Sequence, residues 1–246
     1  MRIFDLHNDA LTGGGKTDND NVIYAIWTTL LDCVDVIKKA DCGKRIALED
    51  LGGMDIDTAI SLSPLYCGLT WNGFNGLAGG ALTDDELTEK GRYYIEKLNQ
   101  AEIVIDAAHL NRRSFYQVAE IAEKFICSHT AMNSLNEHRR NLTNDQISVI
   151  INKGGLVGLC FVGKFLGEAT IERFIAHVDA FIDKFGDENL CIGSDFYGTD
   201  DIIEGINDYK SFDKLVLGLI KCGYNDRSIK RILCDNALKY FGEIKI

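Results

Sequence analysis

The residues with the most evident chemistry are histidines and acids that follow short apolar runs. The stretch RIFDLHNDAL puts His7 and Asp9 directly behind the run Ile3 to Leu6. If that run is a β-strand, His7 and Asp9 alternate with Asn8 and share one side. An imidazole and a carboxylate so placed can ligate a metal, or can be an ordinary polar strand end. Four more residues occupy comparable positions: Glu49 in IALED, His109 in IDAAH, His129 in ICSH and Asp195 in IGSD. Three imidazoles and three carboxylates gathered without a cation would leave several charges poorly compensated. Zn²⁺ and similar borderline metals accept this N/O mixture. Six donors exceed one tetrahedral site, and a carboxylate can bridge two cations, so two metals fit the set.

Those residues can meet only if the elements behind them converge. Eight apolar, β-branched runs are present: Ile3 to Leu6, Val22 to Trp27, Arg45 to Leu48, Tyr66 to Thr70, Ile103 to Ala107, Phe125 to Ser128, Leu156 to Phe161, and Leu190 to Gly193. Segments of helical periodicity separate most of them. Leu87, Tyr94, Ile95 and Leu98 form one stripe, and Phe115, Val118, Ala119 and Ala122 another. Thr143 and Thr170 are in N-cap position for two more, which end at Gly154–Gly155 and Gly186. Near-continuous apolar strands alternating with amphipathic helices predict a parallel sheet covered on both faces. Eight such units predict a (β/α)₈ TIM barrel of the α/β class, with shortened units near strands 2 and 3. Active sites in that fold form at the C-terminal ends of the strands, which is where the histidines and acids fall.

Composition is consistent with this. The 246 residues are 46% hydrophobic and 26% charged, enough apolar material for a full core. No linker, repeat or low-complexity tract appears, so residues 1–246 are expected to be a single domain. No apolar run approaches ~18 residues, so no membrane span is expected. No basic segment with an apolar stretch precedes His7, so no signal peptide is expected and the location is read as cytoplasmic. The eight cysteines contain no CxxC pair and lie largely in apolar runs, which reads as buried thiols in a reducing compartment. A net charge of −11 argues against nucleic acid as a partner, since phosphates demand clustered Lys and Arg.

The motifs DLHNDAL, LTWNGFN, LTEKGR, IDAAHLNRRSF, CSHTAMNSLNEHRRNLTNDQI, GGLVGLCFVGKFL and IGSDFYG, taken in order, resemble those of the membrane dipeptidase (renal dipeptidase) family, peptidase family M19. The likeness runs from Phe4 to KRILCDNALKYF, and SH…HRRNLT is its most specific part. It implies a zinc-dependent dipeptidase with two Zn²⁺ per chain, acting on small dipeptide-like substrates, and a homodimer is compatible with it. It implies that His7 and Asp9 hold the first metal, Glu49 bridges, and His109 and His129 hold the second. Asp195 would sit beside the first metal as proton acceptor and donor. Arg140 would hold the substrate's terminal carboxylate, a task suited to a guanidinium fork.

Two departures bear on the substrate. The family's dipeptidases carry a histidine after LT, where this sequence has Trp71, which either stacks on substrate or packs. Losing an oxyanion donor costs ~10²–10³ in rate, so another small amide, an N-acyl amino acid, a lactam or a lactone is the alternative substrate class. The sequence is also short between Leu11 and Lys44, which trims the loops that shape a pocket. A degenerate barrel acting as a binding protein is the non-enzymatic reading, against which six intact donors speak. His138 either contacts substrate or caps its loop. Asn72 and Asn75 either line the pocket or fix a turn. Arg139 is read as a surface residue and His177 as a helix-face residue.

Overall fold

The structure is a computed structural model that describes residues 1–17, 19, 21–29, 33–39 and 44–242. Eight strands form: β1 (Asp5–Asn8), β2 (Val22–Trp27), β3 (Arg45–Glu49), β4 (Tyr66–Gly68), β5 (Val104–Asp106), β6 (Phe125–Thr130), β7 (Val157–Leu159) and β8 (Leu190–Ile192). They pair in parallel in chain order, and β8 returns to β1 to close the barrel. Each expected apolar run contains or overlaps one strand. Residues buried on both sides give no alternation to read, which is why the runs stood out.

Helices cover the outside: α1 (Cys33–Lys39), α2 (Ile56–Ser61), α3 (Glu89–Gln100), α4 (Arg112–Ile121), α5 (Asn144–Asn152), α6 (Gly163–Leu166), α7 (Ile171–Phe185), α8 (Phe212–Lys221), α9 (Asp226–Lys230) and α10 (Asn236–Phe241). The short α1 and α2 match the expected truncation after strands 2 and 3; residues 30–32 and 40–43 of that stretch lie outside the described residues. Thr143 and Thr170 accept from the backbone N–H of Gln146 and Arg173, so both threonine caps form as expected. Seven cysteines are free and six of these are buried; Cys42 lies outside the described residues. No described helix is long and apolar enough to cross a membrane.

Phe4, Leu6, Ile23, Ala47, Tyr66, Val104, Ile126, Leu156 and Cys191 fill the barrel, and Cys234 and Ala237 pack against them. The second hydrophobic cluster lies between the strands and the helices. Two strands break the simple alternation. Between Asp5 and Asn8 the register of β1 shifts against β2, and between Cys127 and Thr130 that of β6 shifts against β7. An extra residue in one strand re-aims the side chains that follow it. Leu6 therefore packs with the barrel interior while His7, its neighbour, also faces the barrel mouth. The same device places Ser128 and His129 together on the inner side. Gly193 makes room there: a Cβ on it would lie 1.8 Å from the Ser128 carbonyl oxygen.

His177 is wholly buried on α7, not displayed on an open helix face. Its Nδ1 accepts from Met132 N–H and its Nε2 donates to Leu166 O, both at 3.0 Å. A proton on Nδ1 would oppose Met132 N–H, and burial holds the pKa down at about 4. The unfolded imidazole takes a proton below ~6.5, so between there and 4 the unfolded state binds more protons and stability falls as pH falls. The contribution lost below that window is about 3 kcal/mol. Denaturant unfolding from pH 7 to 4 should show a smaller acid loss for His177→Gln than for the native chain; an identical loss would contradict this role.

Candidate metal centre

The C-terminal ends of five strands bring the six donors to one rim. His7 lies in β1 and Asp9 just after it, Glu49 ends β3, and His129 lies in β6. His109 and Asp195 follow β5 and β8. His109, Asp195 and Asp50, the residue after Glu49, all have left-handed backbone (φ 68°, 62° and 61°). Non-glycine residues persist there only when their surroundings hold them.

The side chains form three overlapping groups, His7–Asp9–Asp195, Glu49–His109–His129 and His7–Asp106–His129, whose donor atoms within each group lie within 4.8 Å of one another; the first two contain the six expected donors. Glu49 faces both: Oε1 is 2.7 Å from His109 Nε2 and Oε2 is 3.6 Å from His7 Nε2. His7 Nε2 is also 3.3 Å from Asp9 Oδ2 and 3.9 Å from Asp195 Oδ1.

Hydrogen bonds assign all three imidazole tautomers. Tyr66 OH donates to Leu6 O, so it accepts from His7 Nδ1 (2.9 Å). Ser128 Oγ donates to Asp106 Oδ2, so it accepts from His129 Nδ1 (2.9 Å). His109 Nδ1 donates to Asn72 Oδ1 (2.9 Å). Nε2 is therefore the nitrogen each ring turns to the centre; that of His129 accepts from Arg140 Nη2, and those of His109 and His129 face each other at 2.9 Å. Both oxygens of buried Asp9 lack any hydrogen-bond donor. Gly198 lets its loop approach, since a Cβ there would lie 2.5 Å from Asp195 Oδ1 and 2.6 Å from Asp9 Oδ2. Buried carboxylate oxygens without donors, beside opposed imidazole nitrogens, are the donor set of bound divalent cations. The residues fit metal.

Without a cation, the three carboxylates draw a proton onto His7 in its place. Burial disfavours a charged His7, but the carboxylates of Asp9, Glu49 and Asp195 outweigh it and hold the pKa up at about 10. Burial pushes His109 and His129 well below the usual range, with Arg140 and His7 adding to it. Burial lifts Glu49, opposed by His7 and Arg140. Burial also lifts Asp195 to about 7, with Asp9 and Glu49 reinforcing it against His7 and Arg140.

The sequence description "membrane dipeptidase (peptidase family M19)" matches residues 52–246. The chain belongs to the membrane dipeptidase family. That makes it an enzyme of the metallo-dipeptidase class. The matched stretch holds His109, His129, Arg140 and Asp195, while His7, Asp9 and Glu49 join them through the barrel geometry. Dipeptidase verJ of Clonostachys rogersoniana is 28% identical over 162 residues, covering 65% of this chain and 42% of that protein. The chain thus spans less than half the length of that relative. Two solved structures share the fold at 20% identity. Dipeptidase AC, a family M19 metallopeptidase, superposes with a TM-score of 0.87 over 99% of this chain and 98% of its own. A metallopeptidase from Rhodobacter sphaeroides, liganded with a phosphinate mimic of the dipeptide L-Ala-D-Ala, has a TM-score of 0.84 over 99% of each chain.

In this membrane dipeptidase family member a cavity of about 160 Å³ opens onto the rim, lined by Asp9, Glu49, His109 and Asp195 together with Arg140 and Trp71. Arg140 is buried, donates through Nη2 to His129 Nε2 (2.6 Å) and lies over the Phe165 ring at 5.4 Å. Trp71 is 48% exposed, so it is not a packed core residue, and its ring is 6.2 Å from that of His109. His138, expected among the substrate contacts, does not line this cavity. Its Nδ1 accepts from Arg140 N–H (3.2 Å) and its ring packs on Phe165 (4.7 Å), so it caps its own loop and borders a neighbouring cavity with Arg112, Arg113 and Arg139. Asn75 fixes a turn, accepting from Leu77 N–H and donating to Leu69 O. Asn72 lines the cavity, as one of its two expected roles had it, and accepts from His109 Nδ1.

Sequence reasoning missed Tyr66, Asp106 and Ser128, which orient the imidazoles, and Trp27, Val162, Lys164 and Phe165, which line the cavity. The one available signal was adjacency: Ser128 precedes His129. Loss of an orienting partner costs 10–100-fold in metal affinity. Ser128→Ala frees His129 Nδ1 and takes the hydroxyl donor from Asp106 Oδ2, while Oδ1 keeps the N–H groups of Ala108 and residue 128, so competition with a chelating dye should show a loss in that range. Unchanged affinity would remove Ser128 from the centre.

Proposed function

We propose that the chain is a zinc-dependent dipeptidase that cleaves the amide bond of a free dipeptide. The observation that carries this reading is the convergence of three imidazole Nε2 atoms, the Asp9 carboxylate without hydrogen-bond donors and the two-faced Glu49 carboxylate at one rim. His7, Asp9 and Asp195 would hold one zinc ion, His109 and His129 the other, with Glu49 shared. Bound zinc lowers the pKa of water toward neutrality and polarises a carbonyl oxygen.

The chain's own residues do the rest. Arg140, a buried cation beside that set, would bind the substrate's terminal carboxylate and so place the scissile amide over the rim. The Phe165 ring packs under the guanidinium and keeps it aimed. Asp195, lining the cavity beside His7, would accept the proton of the attacking water and return it to the leaving amine. Trp27, Trp71, Val162 and Phe165 form apolar wall that limits water around the amide. A cavity of about 160 Å³ suits a dipeptide rather than a protein chain.

Trp71 supports a second reading. It stands where the resemblance leads one to expect an imidazole, and no other imidazole lines that side of the cavity besides His109 among the described residues. Another small amide, an N-acyl amino acid, a lactam or a lactone would then be the substrate at the same centre. A panel of dipeptides, N-acyl amino acids, lactams and lactones, assayed on zinc-loaded enzyme, separates the two. Turnover of dipeptides at ≥10-fold higher kcat/KM than the other classes is expected; the reverse order would overturn the dipeptidase reading.

A further inference from the structure

The cavity holds two cationic side chains, and none of its acids is free to answer them. Asp9, Glu49 and Asp195 are its carboxylates, and all three belong to the candidate metal groups. Arg140 and Lys164 are its cations. Arg140 has no ion-pair partner among the described residues, and its buried Nε lacks any acceptor. The Lys164 ammonium likewise has no hydrogen bond or ion pair among the described residues.

Lys164 is nonetheless firmly placed. Its N–H donates to Asp201 Oδ2 and its carbonyl accepts from Asn136 Nδ2, both at 2.9 Å. Gly163 before it donates to Asp201 O (2.9 Å), and a Cβ on that glycine would lie 2.7 Å from Asp201 Oδ1. Phe165 after it carries the ring that underlies the Arg140 guanidinium. The backbone is fixed on both sides, and Lys164, an exposed residue, lines the same cavity as Arg140.

We propose that Lys164 and Arg140 form a paired-cation subsite that selects dipeptides whose C-terminal residue has a carboxylate side chain. The inference rests on the dipeptidase reading. Arg140 takes the α-carboxylate, and Lys164, one residue from the ring under Arg140, takes the second carboxylate of the same residue. With the acids of the cavity committed to metal, two anionic groups on the substrate balance the two remaining cations, and a neutral side chain leaves one unanswered. Lys164 is exposed, so its selectivity is of moderate size and is screened by salt.

The test compares kcat/KM for Ala-Glu and Ala-Asp with that for Ala-Gln and Ala-Asn, in the native enzyme and in Lys164→Met, which keeps the apolar stem. Native enzyme should favour the acidic member of each pair by roughly five- to tenfold at low salt, a preference that shrinks at high salt. In Lys164→Met the ratio should fall to about one, and Lys164→Glu should invert it. Calorimetric titration with glutamate and with glutamine reads the same preference without turnover. A ratio that is unchanged in Lys164→Met, or equal to one in the native enzyme, overturns the subsite and leaves the dipeptidase reading standing. Absence of turnover of all four peptides overturns the dipeptidase reading and the subsite with it.

Discussion

Replacing Glu49 with alanine is expected to remove both metal loading and hydrolysis while the barrel stays folded. Among the described residues, Glu49 is the one carboxylate whose two oxygens face different imidazoles, His109 on one side and His7 on the other. Losing an orienting residue behind a ligand already weakens metal binding 10–100-fold, so losing a shared ligand should cost more than ~100-fold. Activity should fall by at least ~10³, equivalent to about 4 kcal/mol of transition-state stabilisation. Burial raises the pKa of this carboxyl, so without a cation it is a costly group in the fold, and its removal should not lower the melting temperature of the metal-free chain. Elemental analysis, a hydrolysis assay and a thermal melt on the variant check all three statements. A variant that keeps its metal and its turnover refutes the shared-ligand role.

Replacing Arg140 with methionine should strike the substrate more than the metal. Truncating one partner of a buried charged pair costs 2–5 kcal/mol or more, so kcat/KM on a dipeptide should fall ~10²–10³-fold, mostly through KM. Arg140→Lys should recover only part of this, because an ammonium lacks the planar fork. A dipeptide amide, which offers no terminal carboxylate, should lose far less than the free acid. Arg140 also donates to His129 Nε2, so metal content belongs beside the kinetics. Equal losses on the free acid and the amide would mean that Arg140 serves His129 rather than the substrate.

Much of this could be read from the sequence, for a physical reason. Strands buried on both faces appear as apolar runs, and eight such runs bounded by polar residues left little choice of architecture. Thr143 and Thr170 announced their helices because a cap satisfies orphan N–H groups in a way few residue types can. The rim donors stood out because polar groups straight after buried strands are conspicuous. What stayed hidden depends on register and direction. Simple alternation gives no warning that Leu6 and His7, or Ser128 and His129, both turn inward; that comes from the register shifts in β1 and β6. The left-handed turns at His109 and Asp195 are imposed by the closed barrel, since neither residue type demands them. Tyr66 read as strand core, yet its hydroxyl fixes the tautomer of His7. Nothing in the sequence marks Lys164, and only the fold shows that it borders the same cavity as Arg140.

The number of metal ions that each chain retains is the most direct test. After equilibration with zinc and removal of excess, elemental analysis should find about two per chain, one at His7, Asp9 and Asp195 and one at His109 and His129, with Glu49 facing both. A chain that retains none, while folded, would contradict the assembly of His7, Asp9, Glu49, His109, His129 and Asp195 into a metal centre, and the hydrolytic reading would fall with it.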